Sequence, residues 1–235
     1  MTDSRKSVLR RARQRALRAG RKITYDLTGG SSTRQRHGLV GPPDLWAMKR
    51  RFQFEFLTSH GLRPEHRLID IGCGALRGGI PLIEYLETGH YTGVEAREAV
   101  LEEGRKELAE AGLEHKHPLL IHAADPAQIE LEAHFDVAWA FMVLIHMTDE
   151  IVDACLGLVS RRLTEAGEFY ANVILGSGTE RSWQGFPVVS RPHEFYEHLA
   201  APHGLIVHDV GTLESLGHGS AGEKAMMLRF TRASQ

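Results

Sequence analysis

The sequence predicts an α/β fold: a seven-stranded, mostly parallel sheet with helices on both faces and an antiparallel pair at one edge. Three observations carry this. Short apolar strands alternate with helical stretches from residue 67 onward, which implies parallel pairing with right-handed crossovers. The first of these strands runs straight into a glycine-rich turn. The last two strands have no helix between them, which suits an antiparallel edge.

The elements follow in order. Residues 5–19 suit an arginine-rich helix with only a thin apolar stripe, and residues 27–44, rich in Gly, Ser and Pro, read as a loop or linker. Asp44 is placed to cap a helix from Leu45 to about His60. Its apolar face is Leu45, Met48, Phe52, Phe56 and Leu57, and Gly61 stops it. Strands are expected at Arg67–Ile71, His90–Val94, Pro118–His122, Phe135–Phe141, Gly167–Ile174, Leu205–Val210 and Ala225–Phe230. Helices are expected at Arg77–Glu87, Ala96–Ala111, Asp149–Leu163 and Pro192–Ala201. This divides the chain into an arm and linker, residues 1–44, and one domain, residues 45–235.

Composition narrows the function classes. The 235 residues are 42% hydrophobic and 25% charged, as in an ordinary globular enzyme. No apolar run approaches the roughly 18–20 residues that cross a bilayer, and no secretory signal is expected. Two cysteines, Cys73 and Cys155, without metal-type spacing suit a reducing, cytoplasmic setting. Residues 1–22 carry nine basic side chains against Asp3, a charge of +8; with a net −2 for the chain, −10 is left on the rest. Such an arm is suited to a membrane surface, a nucleic acid, or an acidic body of its own or another subunit, which allows a homo-oligomer. The acidic body argues against a broad nucleic-acid-binding face.

The central motif is Leu68-Ile69-Asp70-Ile71-Gly72-Cys73-Gly74-Ala75-Leu76-Arg77. Gly72 and Gly74 let the backbone turn sharply and bring a ligand close to main-chain N–H groups at a helix start. Glu95, at the tip of the next strand, stands 21 residues after Gly74, near the roughly 20 expected for an acid that holds ribose hydroxyls. The dinucleotide fingerprint GxGxxG is broken by Arg77 where its third glycine belongs, which weighs against a nicotinamide enzyme.

Leu68–Gly74 (LIDIGCG) resembles motif I of the class I S-adenosylmethionine-dependent methyltransferases, whose fold is Rossmann-like. Glu95 in YTGVEA resembles the motif II acid, Asp125 in IHAAD the motif III acid, and Phe135–Met147 motif IV. The resemblance covers about residues 46–230. It implies S-adenosylmethionine as cofactor and S-adenosylhomocysteine as product. Gly72, Cys73, Gly74 and Ala75 would surround the amino-acid part of the cofactor, and Asp70 its ammonium. Glu95 would accept the ribose hydroxyls, Ala96 would pack on the adenine, and Asp125 would read the adenine amino group. Ala140 and Phe141 would end strand four beside the methionine moiety. Trp46 and Lys49, on the helix before motif I, are second-rank candidates. The stretches CGALRGGIPLIEYL and WAMKRRFQFEF are similar to small bacterial methyltransferases of saccharide and natural-product pathways, among them mycobacterial-type methylmannose polysaccharide O-methyltransferases.

A sulfonium methyl is already activated, so catalysis needs in-line positioning and, for a hydroxyl acceptor, a base. His146, just after strand four, is the candidate base; imidazole titrates near neutrality. Strand four lacks the (N/D)PP(Y/F) motif of many N-methyltransferases. A metal is not indicated, and the sequence leaves one open. Residues 176–193 read as a substrate loop, with Trp183 and His193 as contacts and Phe186 as a further aromatic; Arg77 is placed to meet a cofactor carboxylate, an anionic substrate or an acid of the Trp46–Leu57 helix. The favoured expectation is O-methylation of a small molecule, with a saccharide as acceptor. Two other readings fit the same residues: an RNA or protein methyltransferase that uses the basic arm, and a non-catalytic cofactor-binding module.

Overall fold

A computed structural model describes residues 31–219 and 225–233. The basic arm, with the helix expected at 5–19, lies outside the described residues.

Seven strands form one sheet. They are β1 (Leu68–Ile71), β2 (Tyr91–Glu95), β3 (Leu119–His122), β4 (Phe135–Ala140), β5 (Leu163–Ile174), β8 (Leu205–Thr212) and β9 (Ala225–Arg232). Their order is β3-β2-β1-β4-β5-β9-β8. Pairing is parallel from β3 to β5 and antiparallel from β5 through β9 to β8. The expected antiparallel pair is there, with β9 inserted between β5 and the edge strand β8. The chain leaves β1 toward β2 and β3, then returns to β4 on its other side. That reversal opens a crevice beyond the carboxyl end of β1, the place where such sheets bind ligands.

Helices cover both faces: α2 (Trp46–Ser59), α3 (Gly79–Tyr85), α4 (Glu98–Glu110), α5 (Asp149–Arg162) and α6 (His193–Ala200). β1 is buried along its whole length, as a parallel strand covered on both faces must be. One core joins α2, α3 and α4 to the sheet through Phe52, Phe56, Leu82, Leu101 and Trp139. The other joins α5 and α6 through Val152, Leu156, Phe169, Tyr196 and Phe230. Each fully buried aromatic such as Phe169 or Phe230 contributes about 2–3 kcal/mol relative to exposure.

Two segments differ from their sequence reading. Within residues 27–44, Ser31–Gly38 is a helix, α1, and Pro43–Leu45 is a single 3-10 turn. α1 has no apolar periodicity, so its support is tertiary. Arg36 reaches Glu103, Glu107 and Glu110 on α4 at 2.8–3.1 Å, while His37 stacks on Trp46 at 3.6 Å. Asp44 makes no capping bond; α2 starts one residue later than expected, at Trp46, after Leu45. The second segment, 176–193, is a hairpin of β6 (Gly178–Trp183) and β7 (Phe186–Ser190). Its two-residue turn, Gln184-Gly185, has positive φ at both positions, the geometry that matches strand twist.

Candidate active site

The glycine turn sits at the head of that crevice. Gly72 and Gly74 both have positive φ. A methyl group on Gly72 would run into the Val143 side chain, and one on Gly74 would come within 2.8 Å of Val40. Gly72→Ala is therefore expected to cost about 2–4 kcal/mol from strain plus overpacking, read as a lower urea midpoint; a loss below about 1 kcal/mol would contradict this packing. The Gly72 and Cys73 N–H groups donate to Val94 O at 2.7 and 3.0 Å, which pins the turn to β2.

Glu95 is buried at the end of β2. Its carboxylate accepts from Gly74 N at 3.0 Å and from Arg97 N and Nε at 3.0 and 3.1 Å. A buried acid that reaches across to the turn is where a ribose diol would donate. Ala96 is exposed beside it and accepts from His122 Nε2 at 3.1 Å. A hollow of about 340 Å³ opens there, lined in part by Ile121, Ala123, Asp125 and Ile129, a size and polarity suited to a flat base. Asp125 also caps the turn Pro126–Gln128, accepting from Ala127 N at 2.9 Å and Gln128 Nε2 at 3.2 Å. Its expected role as an adenine reader is thus shared with a structural one.

Asp70 is buried on β1 and accepts from Tyr91 Oη at 2.6 Å. Burial pushes its carboxyl up to about 7; Glu95 adds to the rise, while Tyr91 and Arg77 oppose it. Cys73 lies between the two glycines of the turn. Its side chain is packed in the core, where its Sγ would lie 2.9 Å from a methyl on Gly93, so only its backbone borders the turn. Ala75 is fully buried against Trp46 and Val100. Ala140 and Phe141 end β4, with Phe141 stacked parallel to Trp139.

Residues that the sequence did not single out close over the turn. Val40 O accepts from Arg77 Nη1 at 2.6 Å, and Leu39 O accepts from Arg97 Nη1 at 3.2 Å. The hairpin tip joins them, with Gln184 Nε2 donating to Gly38 O at 2.9 Å. Arg77 thus pairs with the strap at residues 39–41, and no acid of α2 bonds to it. Only the glycine at 41 hinted at this strap. Gln184 and Arg97 carried no signal, since both act across long sequence separations.

The candidate base and the aromatic platform do meet. His146 lies in the 3-10 turn Leu144–His146, with Trp183 and Phe186 at ring distances of 5.6 and 6.3 Å. Its Nδ1 is 2.9 Å from Pro187 O. A carbonyl only accepts, so Nδ1 carries the proton and Nε2 bears the lone pair in the neutral ring. His193 does not join this group. Its ring faces Asp209 at 2.9 Å and Glu197 at 3.4 Å, which ties α6 to β8. Among the described residues no group of three or more His, Cys, Asp or Glu side chains could hold a metal ion. Among them, too, no helix is long and apolar enough to cross a membrane.

Residues 69–169 match the family described as a methyltransferase domain. A search of curated proteins by sequence finds no match. Solved structures share the fold at low identity. An S-adenosylmethionine-dependent methyltransferase from Clostridium acetobutylicum ATCC 824 aligns with TM-score 0.60 and 13% identity, over 79% of this chain and 91% of that one. The CcbJ methyltransferase from Streptomyces caelestis gives 0.61 and 15%, over 84% and 93%. Magnesium protoporphyrin IX methyltransferase from Synechocystis PCC 6803, solved with bound S-adenosylmethionine, gives 0.61 and 16%, over 89% and 93%. The chain has the Rossmann-like fold of class I methyltransferases. Within it, the match to the methyltransferase domain family spans β1 to the middle of β5.

Proposed function

We propose that this protein is an S-adenosylmethionine-dependent methyltransferase that methylates a hydroxyl of a small polar acceptor, with a saccharide as the favoured class. The observation that carries the reading is the buried Glu95 carboxylate facing the Gly72–Gly74 turn in a class I methyltransferase fold. The residues present suit the cofactor: a tight turn with positive φ at Gly72 and Gly74, a buried acid for a diol, and a hollow for a base. Glu95 would hold the ribose, Ala96 and Asp125 the adenine, Asp70 the ammonium, and the backbone of Gly72–Ala75 the methionine chain. When bound, the cofactor supplies a methyl on a sulfonium that departs as a neutral thioether.

The protein's own work is then orientation and proton removal. Trp183 and Phe186 present ring faces to a sugar, and a polar rim suits its hydroxyls. His146 Nε2 takes the hydroxyl proton as the oxygen–methyl bond forms, leaving an imidazolium whose Nδ1–H stays on Pro187 O. No transition metal is needed in this scheme. A screen of labelled methyl transfer to mono- and oligosaccharides tests the acceptor class; label confined to amines would overturn the hydroxyl reading.

Asp70 makes cofactor binding depend on pH. A carboxyl raised to about 7 must lose its proton before it holds an ammonium. S-adenosylhomocysteine affinity is therefore expected to climb as pH rises through 7, by up to about tenfold per unit on the acid side. Asp70→Asn should flatten that slope. A flat profile in the unmodified protein would remove Asp70 from the ammonium. In the ligand-free protein the sign is opposite: the raised carboxyl gives stability that is full below about pH 4 and is lost as pH rises through 7.

A further inference from the structure

Three side chains from separate parts of the chain lie within electrostatic reach of one another: Lys49 on α2, Arg77 after β1, and His218 between β8 and β9. A methyl built on Gly41 would lie 3.3 Å from Arg77 Nη1 and 3.7 Å from Lys49 Nζ, so the glycine lets the backbone pass close against two cations. His218 is 1% exposed, and neither ring nitrogen has a hydrogen-bond partner among the described residues. Its ring sits edge-on to Phe52 at 5.0 Å and lies 5.7 Å from Phe141, the residue that closes β4. Arg77 Nε is likewise buried without an acceptor. Each buried donor left unpaired costs about 1–3 kcal/mol, so such a group is a ligand site in search of acceptor atoms.

Charge narrows the ligand. Arg77 has Asp70 as its nearby acid, and the bound cofactor brings a net positive charge of its own, because its ammonium and carboxylate cancel and the sulfonium remains. Even with the cofactor carboxylate on one cation, this end of the site stays positive. The walls of Phe52 and Phe141 exclude water and strengthen the attraction for an anion. We propose that Lys49, Arg77 and His218 form an oxyanion site that holds a carboxylate or phosphate group of the acceptor, so that the substrate is an acidic small molecule. This rests on the methyltransferase reading above and names its substrate class. Arg77 offers a fork, Lys49 a point charge, and His218 a neutral N–H donor. Burial, then Lys49 and Arg77, push the His218 imidazole down to about 4, which keeps it uncharged until an anion arrives. Burial also pushes Lys49 down to about 8, a second group that an anion would restore.

The test uses the full chain saturated with S-adenosylhomocysteine and follows the His218 ring signals by NMR as inorganic phosphate is added, against chloride at matched ionic strength. The expected result is a saturable phosphate-specific shift, at saturating S-adenosylhomocysteine, that is lost in Lys49→Met. His218→Gln, which keeps a donor, should retain part of the phosphate affinity by calorimetry. No saturable shift, an equal shift with chloride, or mutual exclusion of phosphate and S-adenosylhomocysteine would overturn the proposal. The last result would give these cations to the cofactor carboxylate. Failure of the methyltransferase reading shows separately, as no S-adenosylhomocysteine binding to the unmodified protein.

Discussion

Glu95→Ala is expected to weaken S-adenosylhomocysteine binding by about 100-fold or more. The carboxylate is buried, and two hydrogen bonds from ribose hydroxyls to an ionised acceptor are together worth about 3 kcal/mol or more. Part of the loss has another source. Glu95 also holds Gly74 N and the Arg97 side chain, so its removal loosens the turn and frees the arginine that anchors Leu39 O. Glu95→Gln separates the two: it keeps the shape and one acceptor oxygen, so its loss should fall between those of the unmodified protein and the alanine variant. Calorimetry at fixed pH reads all three. A change below about threefold for the alanine variant would detach Glu95 from the cofactor.

The second large effect is on the chemical step. His146→Ala is expected to lower kcat by about 100-fold while leaving S-adenosylhomocysteine affinity unchanged. The ring's Nδ1–H on Pro187 O leaves Nε2 as the basic nitrogen, so the loss should not be recovered by a residue that lacks a second nitrogen. The hairpin contributes here too, because Trp183 and Phe186 flank the same ring. Trp183→Ala should therefore raise KM more than it lowers kcat. An unchanged kcat in His146→Ala would remove the imidazole from the mechanism and favour an acceptor that needs no base.

The parts legible in the sequence are those governed by local rules. β1, its glycine turn and the acid at the tip of β2 follow from short-range pattern, since burial on both faces and positive φ each leave a residue signature. The closeness of His146 to Trp183 and Phe186 was not legible, because the hairpin that brings them together reads as a loop. Its first strand is largely polar, its second carries a proline, and Gln-Gly is a weaker turn signal than Asn-Gly. α1 was hidden for a different reason. Its eight residues are polar throughout, and what holds them is charge on α4, seventy positions away. His218 had no sequence signal at all, because its burial depends on α2 and β4 meeting around it. The partners of His193, two acids on α6 and β8, likewise had no sequence signal.

Transfer itself is the most direct test of the account. The purified full chain is incubated with methyl-labelled S-adenosylmethionine and, in parallel, with acidic and neutral saccharides, other small hydroxylated acids, RNA and protein. The account predicts that label enters a small-molecule fraction, with one S-adenosylhomocysteine released per methyl transferred. Tight S-adenosylhomocysteine binding with no label in any fraction, or label only in RNA or protein, would contradict it.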